Sequence, residues 1–147
     1  MLVLLSSATP FLHSASASPS WMNSSWTDRR EITISNSGAA LVDYQVKITV
    51  TFDPAMNADF SDLRFTSDDG VTPISFWVES FTPSSSAVVW VKVPSIPASS
   101  SALIYMYYGN PIAESASDGK ATFNFYDGFE TPTSSAWSTK LSLPEFT

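Results

Sequence analysis

Tyr44, Val46, Ile48, Val50 and Phe52 fall on every second position, with Gln45, Lys47, Thr49 and Thr51 between them. Successive side chains of a strand point to opposite faces, so this run predicts a β-strand with one dry and one wet face. Asp53-Pro54 closes it. Farther on, ISFWVES (74–80), AVVWVKV (87–93) and ALIYMYY (102–108) are three runs rich in Val, Ile and aromatic residues, separated by Pro/Ser breaks. That is the signature of a β-meander.

Shorter segments extend the pattern. Glu31–Ile34 alternates and is followed by an Asn36-Ser37-Gly38 turn. Met56–Phe60 reads as a short helical turn. Leu63 and Phe65 are expected inward, with Asp62, Arg64 and Thr66 outward. Ser67-Asp68-Asp69-Gly70 predicts a tight turn, because glycine readily takes the positive φ such turns need. Thr122–Asp127 and Leu141–Phe146 are the last candidate strands. About eight strands with turn signals every ~8–12 residues predict an all-β antiparallel sandwich, jelly-roll or immunoglobulin-like, with extended terminal segments. No segment carries a convincing helical period.

The termini read differently. Residues 1–17 form an apolar leader, with MLVLL at its start and Ala15-Ser16-Ala17 as a small-x-small cleavage pattern. This is a secretory signal or a donated strand, and it is too short to span a membrane as a helix. Residues 18–25 form a Ser/Pro linker, 26–130 the sandwich domain, and 131–147 a C-terminal tail. Export to the cell surface or medium is the expected localisation.

Composition narrows the function. The chain is 44% hydrophobic and 14% aromatic, enough for a thin core, and only 14% charged. Net charge is −7, and the seven Lys and Arg residues form no cluster, which argues against nucleic acid as a partner. There is no cysteine and the only histidine, His13, lies in the leader. Thiolate chemistry is thereby absent, and a Ser-His-Asp site is lost if the leader is removed. No cofactor is expected.

The candidate sites are few. Asp59, Asp62, Asp68 and Asp69 could offer oxygen ligands to Ca²⁺, against ordinary turn chemistry, and they lack EF-hand spacing. Arg64 and Glu79 read as a cross-strand ion pair that can include Lys92. The sharper alternative makes Glu79 a glycosidase acid with Glu31 or Asp127, although no motif fixes their separation. Trp77 and Trp90 are expected to pack on a sheet face. Trp21, Trp26 and Trp137 are candidates for stacking on sugar rings. Asn23-Ser24-Ser25 is a glycosylation sequon at Asn23. Ser/Thr/Pro tracts at Ser14–Ser20, Thr82–Ser86, Pro97–Ser101 and Thr131–Ser135 suit O-glycans.

The stretches WTDRREITISNSG, DYQVKITVTFD, DFSDLRFTSDDG, ISFWVES, VVWVKVPSIPASSSALIYMYYGN and ATFNFYDGFE, taken together from Trp26 to about Glu130, resemble a bacterial and archaeal domain of unknown function. That domain occurs in secreted, often very large proteins, commonly beside concanavalin A-like lectin/glucanase modules. The resemblance implies a β-sandwich with a role in surface or adhesive proteins, and it transfers no catalytic residue.

The apolar ends suggest strand donation, in which one subunit's extended segment fills the edge of the next by main-chain hydrogen bonds. Two donors are candidates: Leu2, Val3, Leu4 and Leu5, or Trp137, Leu141, Leu143 and Phe146. The expected function is a non-enzymatic, self-assembling subunit of an extracellular fibre or surface layer, with copies of itself and glycans as partners. The alternative is a carbohydrate-binding or adhesion module of a larger secreted protein.

Overall fold

The computed structural model describes residues 20–128. They form a β-sandwich of two three-stranded antiparallel sheets. The strands are β1 (Asp28–Asn36), β2 (Leu41–Thr51), β3 (Arg64–Thr66), β4 (Phe76–Thr82), β5 (Ser86–Ile96) and β6 (Ser100–Tyr108). Sheet A has the order β1-β6-β3 and sheet B the order β2-β5-β4. The two central strands are consecutive in sequence, so the short crossover at residues 97–99 carries the chain from one sheet to the other.

The core lies between the sheets. Sheet A contributes Ile32, Ile34, Phe65, Ile104, Met106 and Tyr108. Sheet B contributes Val46, Ile48 and Val50 from β2, Phe76 and Val78 from β4, and alternate residues of β5 from Ala87 to Val93. Val89 and Val91 are fully enclosed. Burying such side chains, each worth about 1.5–3 kcal/mol, is the main force holding the sheets together.

Several expectations need correction. The described residues hold six strands, not about eight. Thr122–Asp127 is not a strand. Asp118 caps a four-residue helix α1 (Gly119–Thr122), accepting from the Lys120 and Ala121 amides. Those two bonds turn the backbone before the aromatic run can extend. Phe125, within this candidate strand, is 65% exposed. Leu141–Phe146 lies outside the described residues.

Tyr44 was expected inward and is half exposed. Asp43 has φ 50°, and the alternation changes phase there: Leu41 packs on the core before it, Val46 and Ile48 after it. Asp62 and Thr66 were expected outward and are fully buried. Met56–Phe60 is not the expected helical turn but part of two successive tight turns, closed by Met56 N–H to Asp53 O (2.8 Å) and Phe60 N–H to Asn57 O (2.9 Å), with Phe60 at φ 59°.

Candidate functional site

The feature that stands out is the unequal length of the strands in sheet A. β6 runs from Ser100 to Tyr108, and β1 pairs with all of it. On its other side β3 pairs only with Tyr105, Met106 and Tyr107. The cause is local. After Thr66 the chain enters the turn expected from Asp-Gly, with Gly70 at φ 77° and Gly70 N–H bonded to Ser67 O (3.0 Å). Asp69 Oδ1 accepts the amides of Val71 and Thr72, both at 2.9 Å, which locks the reversal. β3 is thus bent out of the sheet after three residues.

Main-chain geometry shows which groups this leaves open. Ser67 N–H donates to Thr72 O and Ile74 N–H to Phe65 O, both at 2.9 Å, flanking the Thr66–Pro73 bridge. Phe65 and Ser67 therefore point away from β6, and Thr66 points towards it. Thr66 is paired with Tyr105. Strand groups alternate in direction, so Tyr107, Tyr105, Leu103 and Ser101 face the β3 side, and Ala102 and Ile104 face β1. Among the described residues, nothing pairs with Leu103 or Ser101 on that open side. Beside them runs a groove of about 420 Å³, lined by Ser67, Val93, Pro94, Ala102 and Ile104 among others.

The start of β3 is held firmly. The Asp62 carboxylate accepts Asn57 N–H (3.0 Å), Gly109 N–H (2.7 Å) and Asn110 N–H (3.3 Å). Its carbonyl accepts the Trp26 indole N–H (2.8 Å). Asp62 thus fastens the loop before β3 to the end of β6. Arg64 donates to the carbonyls of Ser61, Leu63 and Glu114 and lies 5.1 Å from the Trp26 ring. Burial lowers its pKa, with nearby Asp62 opposing.

Arg64 does not pair with Glu79. Arg64 is in sheet A, whereas Glu79 sits at a bulge of β4 in sheet B, where register shifts between Val78 and Ser80. Alternation from core-facing Val78 turns Glu79 to the outer face, where it accepts the Trp90 indole N–H (2.9 Å) and pairs with Lys47 (3.2 Å). Lys47, not Lys92, is the cation. The Trp90 hydrogen bond, then Lys47, hold the Glu79 carboxyl below its usual range, opposite to what a general acid requires. Glu31 lies on the other sheet, where it accepts the Tyr105 hydroxyl (3.2 Å).

The four candidate calcium ligands are committed separately. Asp59 Oδ1 caps its own turn at Ser61 N–H (3.1 Å), Asp62 is buried against three amides, and Asp69 caps the turn described above. Hydrogen bonds from Ser61 and from Thr72 lower the Asp59 and Asp69 pKa values respectively. Asp68 lines the groove beside β6. No group of three or more potential metal ligands comes together among the described residues.

Among the described residues, Trp21 packs on the outer face of sheet A, and Trp77 and Trp90 on that of sheet B. Trp21 is 44% exposed and meets Tyr107 edge-on at 5.4 Å, with Arg29 4.6 Å over its ring. Trp26 is half-buried beside an apolar cavity of about 390 Å³ that Met22, Arg64 and Phe76 also line. On sheet B, Trp77 and Trp90 pack as expected, against Phe123 (both 5.7 Å), and Trp77 also meets Tyr126 (5.3 Å). Asn23 is exposed, its Oδ1 accepting Ser25 N–H (2.9 Å) within the sequon. Leu2, Val3, Leu4, Leu5, Trp137, Leu141, Leu143 and Phe146 lie outside the described residues.

Residues 59–140 match a family described as a domain of unknown function, DUF2341. The chain belongs to this family. The match begins at Asp59, yet β1 and β2 upstream of it complete the same two sheets. No curated protein and no solved structure matches the chain. No helix among the described residues is long and apolar enough to cross a membrane.

Sequence reasoning missed the open half of β6 and the Asp62 fastening. The first was implicit in the short distance from Leu63 to the Asp-Gly turn, which leaves room for only a brief strand.

Proposed function

We propose that this DUF2341 protein is a non-enzymatic, exported structural subunit that joins copies of itself by strand donation into a fibre or surface layer. The observation that carries this reading is the unpaired side of β6 at Ser101 and Leu103, beside a groove that leads to the core. An open edge is a hazard unless it is covered, and an extended segment from a neighbour covers it with main-chain bonds. Head-to-tail contacts of this kind run on into filaments unless they close. Export rests on the apolar leader, and glycan attachment on the exposed Asn23 sequon and the Ser/Thr/Pro tracts.

The test is electron microscopy and light scattering of the full chain and of two truncations, lacking residues 2–12 or 138–147. Polymers from the full chain, lost in one truncation, are the expected outcome. Polymers that persist in both overturn strand donation.

A second reading, a carbohydrate-binding or adhesion module, is favoured by the exposed Trp21 and by the cavity beside Trp26. Glycan binding by a strictly monomeric protein, lost in Trp21→Ala, would select it.

A further inference from the structure

The hydrogen-bond directions in sheet A restrict what the open edge accepts. A strand continuing the track of β3 runs antiparallel to β6. Its residue opposite Leu103 exchanges two main-chain bonds and carries its side chain on the outer face, as Tyr105 and Tyr107 do. Its neighbours opposite Ile104 and Ala102 turn their side chains towards the core and their own N–H groups away. The fitting segment therefore reads apolar, polar, apolar, with a free N–H on the middle residue. The outer face demands the polar residue, because Ser101, Thr33 and Ser35 around it are exposed.

We propose that Leu141-Ser142-Leu143 of a second copy is this segment, with Leu141 entering beside Ser67, Ser142 opposite Leu103 and Leu143 opposite Ala102. The assignment rests on the strand-donation reading and adds the donor and its register. Pro144 then falls opposite Ser101. Lacking an N–H, it ends the ladder there, while its carbonyl still receives the Ser101 amide.

The other apolar end fits less well. Met1-Leu2-Val3-Leu4-Leu5 is apolar at every position, so a slip by one residue changes nothing and the register is unspecified. It also sets an apolar side chain on the wet face in either register. A second copy is the source because Phe123 and Tyr126, close to the last described residue, pack on the outer face of sheet B. The described chain is thus led onto sheet B, away from the open edge of β6 in sheet A.

The absence of native cysteine makes cross-linking a clean test. Paired residues at hydrogen-bonded positions have Cα atoms about 5.5 Å apart, within the roughly 4.4–6.8 Å a disulfide spans. Chains carrying Leu103→Cys and chains carrying Ser142→Cys are mixed in full length and oxidised. A disulfide-linked pair of unlike chains is expected, with none from Ser101→Cys mixed with Ser142→Cys under the same conditions. If Leu103→Cys fails to fold, Ser101→Cys with Pro144→Cys tests the same register. Polymers by microscopy without these cross-links overturn the donor and register but leave strand donation standing. Neither polymers nor cross-links overturn both. A disulfide within one monomeric chain carrying Leu103→Cys and Ser142→Cys shows docking in the same molecule and also overturns both.

Discussion

Asp62 joins three stretches of chain through one carboxylate: the 57 turn, the start of β3 and the residues after β6. A buried carboxylate accepting three amides leaves all three unsatisfied when it is removed. Asp62→Ala is expected to cost about 2–4 kcal/mol, since hydrogen bonds to a charged group contribute roughly 1.5–3 kcal/mol each and are only partly replaced by water. Asp62→Asn, which keeps one acceptor oxygen, should cost less. Urea unfolding of the two variants checks the order. Asp69 carries the acid sensitivity of the neighbouring turn. Its folded pKa is held below its ordinary value by Thr72 and Val71, so its contribution is present above the unfolded pKa and is lost as pH falls through the folded one. Asp69→Asn should flatten that part of the stability profile on the acid side of the ordinary aspartate pKa, read by thermal melts across acid pH.

At the level of elements, β6 provides a test of its own hydrogen-bond directions. The Ser101 amide points to the open side, and the Ala102 amide points to β1. Proline removes an N–H, so Ser101→Pro should fold nearly as well as the parent while blocking assembly. Ala102→Pro breaks a ladder bond to β1 and should cost at least ~1–3 kcal/mol, the penalty of leaving a buried group unpaired. Melting temperature separates the two variants. The α1 helix gives a second prediction. A Cβ at Gly119 would collide with the Tyr126 ring at Cε2, so Gly119→Ala must displace Tyr126 from Trp77. Near-ultraviolet circular dichroism should change with little loss of strand signal.

Periodicity made the long strands legible: β2, β5 and β6 follow their alternating or continuous apolar runs, and the Asp-Gly turn falls where its chemistry requires. It failed where a polar side chain serves the backbone. Asp62 and Thr66 looked outward because they are polar, yet both are buried against backbone: the Asp62 carboxylate accepts three amides, and the Thr66 hydroxyl donates to Ser67 O. Thr122–Asp127 was a candidate strand, but Asp118 starts a helix just before it. The pairing of Glu79 with Lys47 depended on the strand order β2-β5-β4, which no local pattern announces.

Across the whole molecule, the structure predicts a gradient of protection. The central strands β5 and β6 should exchange their amide hydrogens slowly, except at Ser101 and Leu103, which face an unpaired side. Those two amides should exchange quickly in monomers and become protected in polymers. Hydrogen exchange resolved by residue checks this, and equal protection in both forms counts against the open edge as the joint. The Arg30–Asp53 pair, at 2.6 Å, links β1 to the residues after β2 but is partly exposed, so its loss should cost under ~1 kcal/mol.

The crossover at residues 97–99 lies immediately before the open half of β6, and Ser99 N–H is bonded to Gly38 O (3.0 Å) in the turn between β1 and β2. Tension arriving through a strand seated beside Ser101 would therefore enter both sheets at the shortest of their covalent crossings. A thread assembled this way would carry its load through both layers of every bead at once.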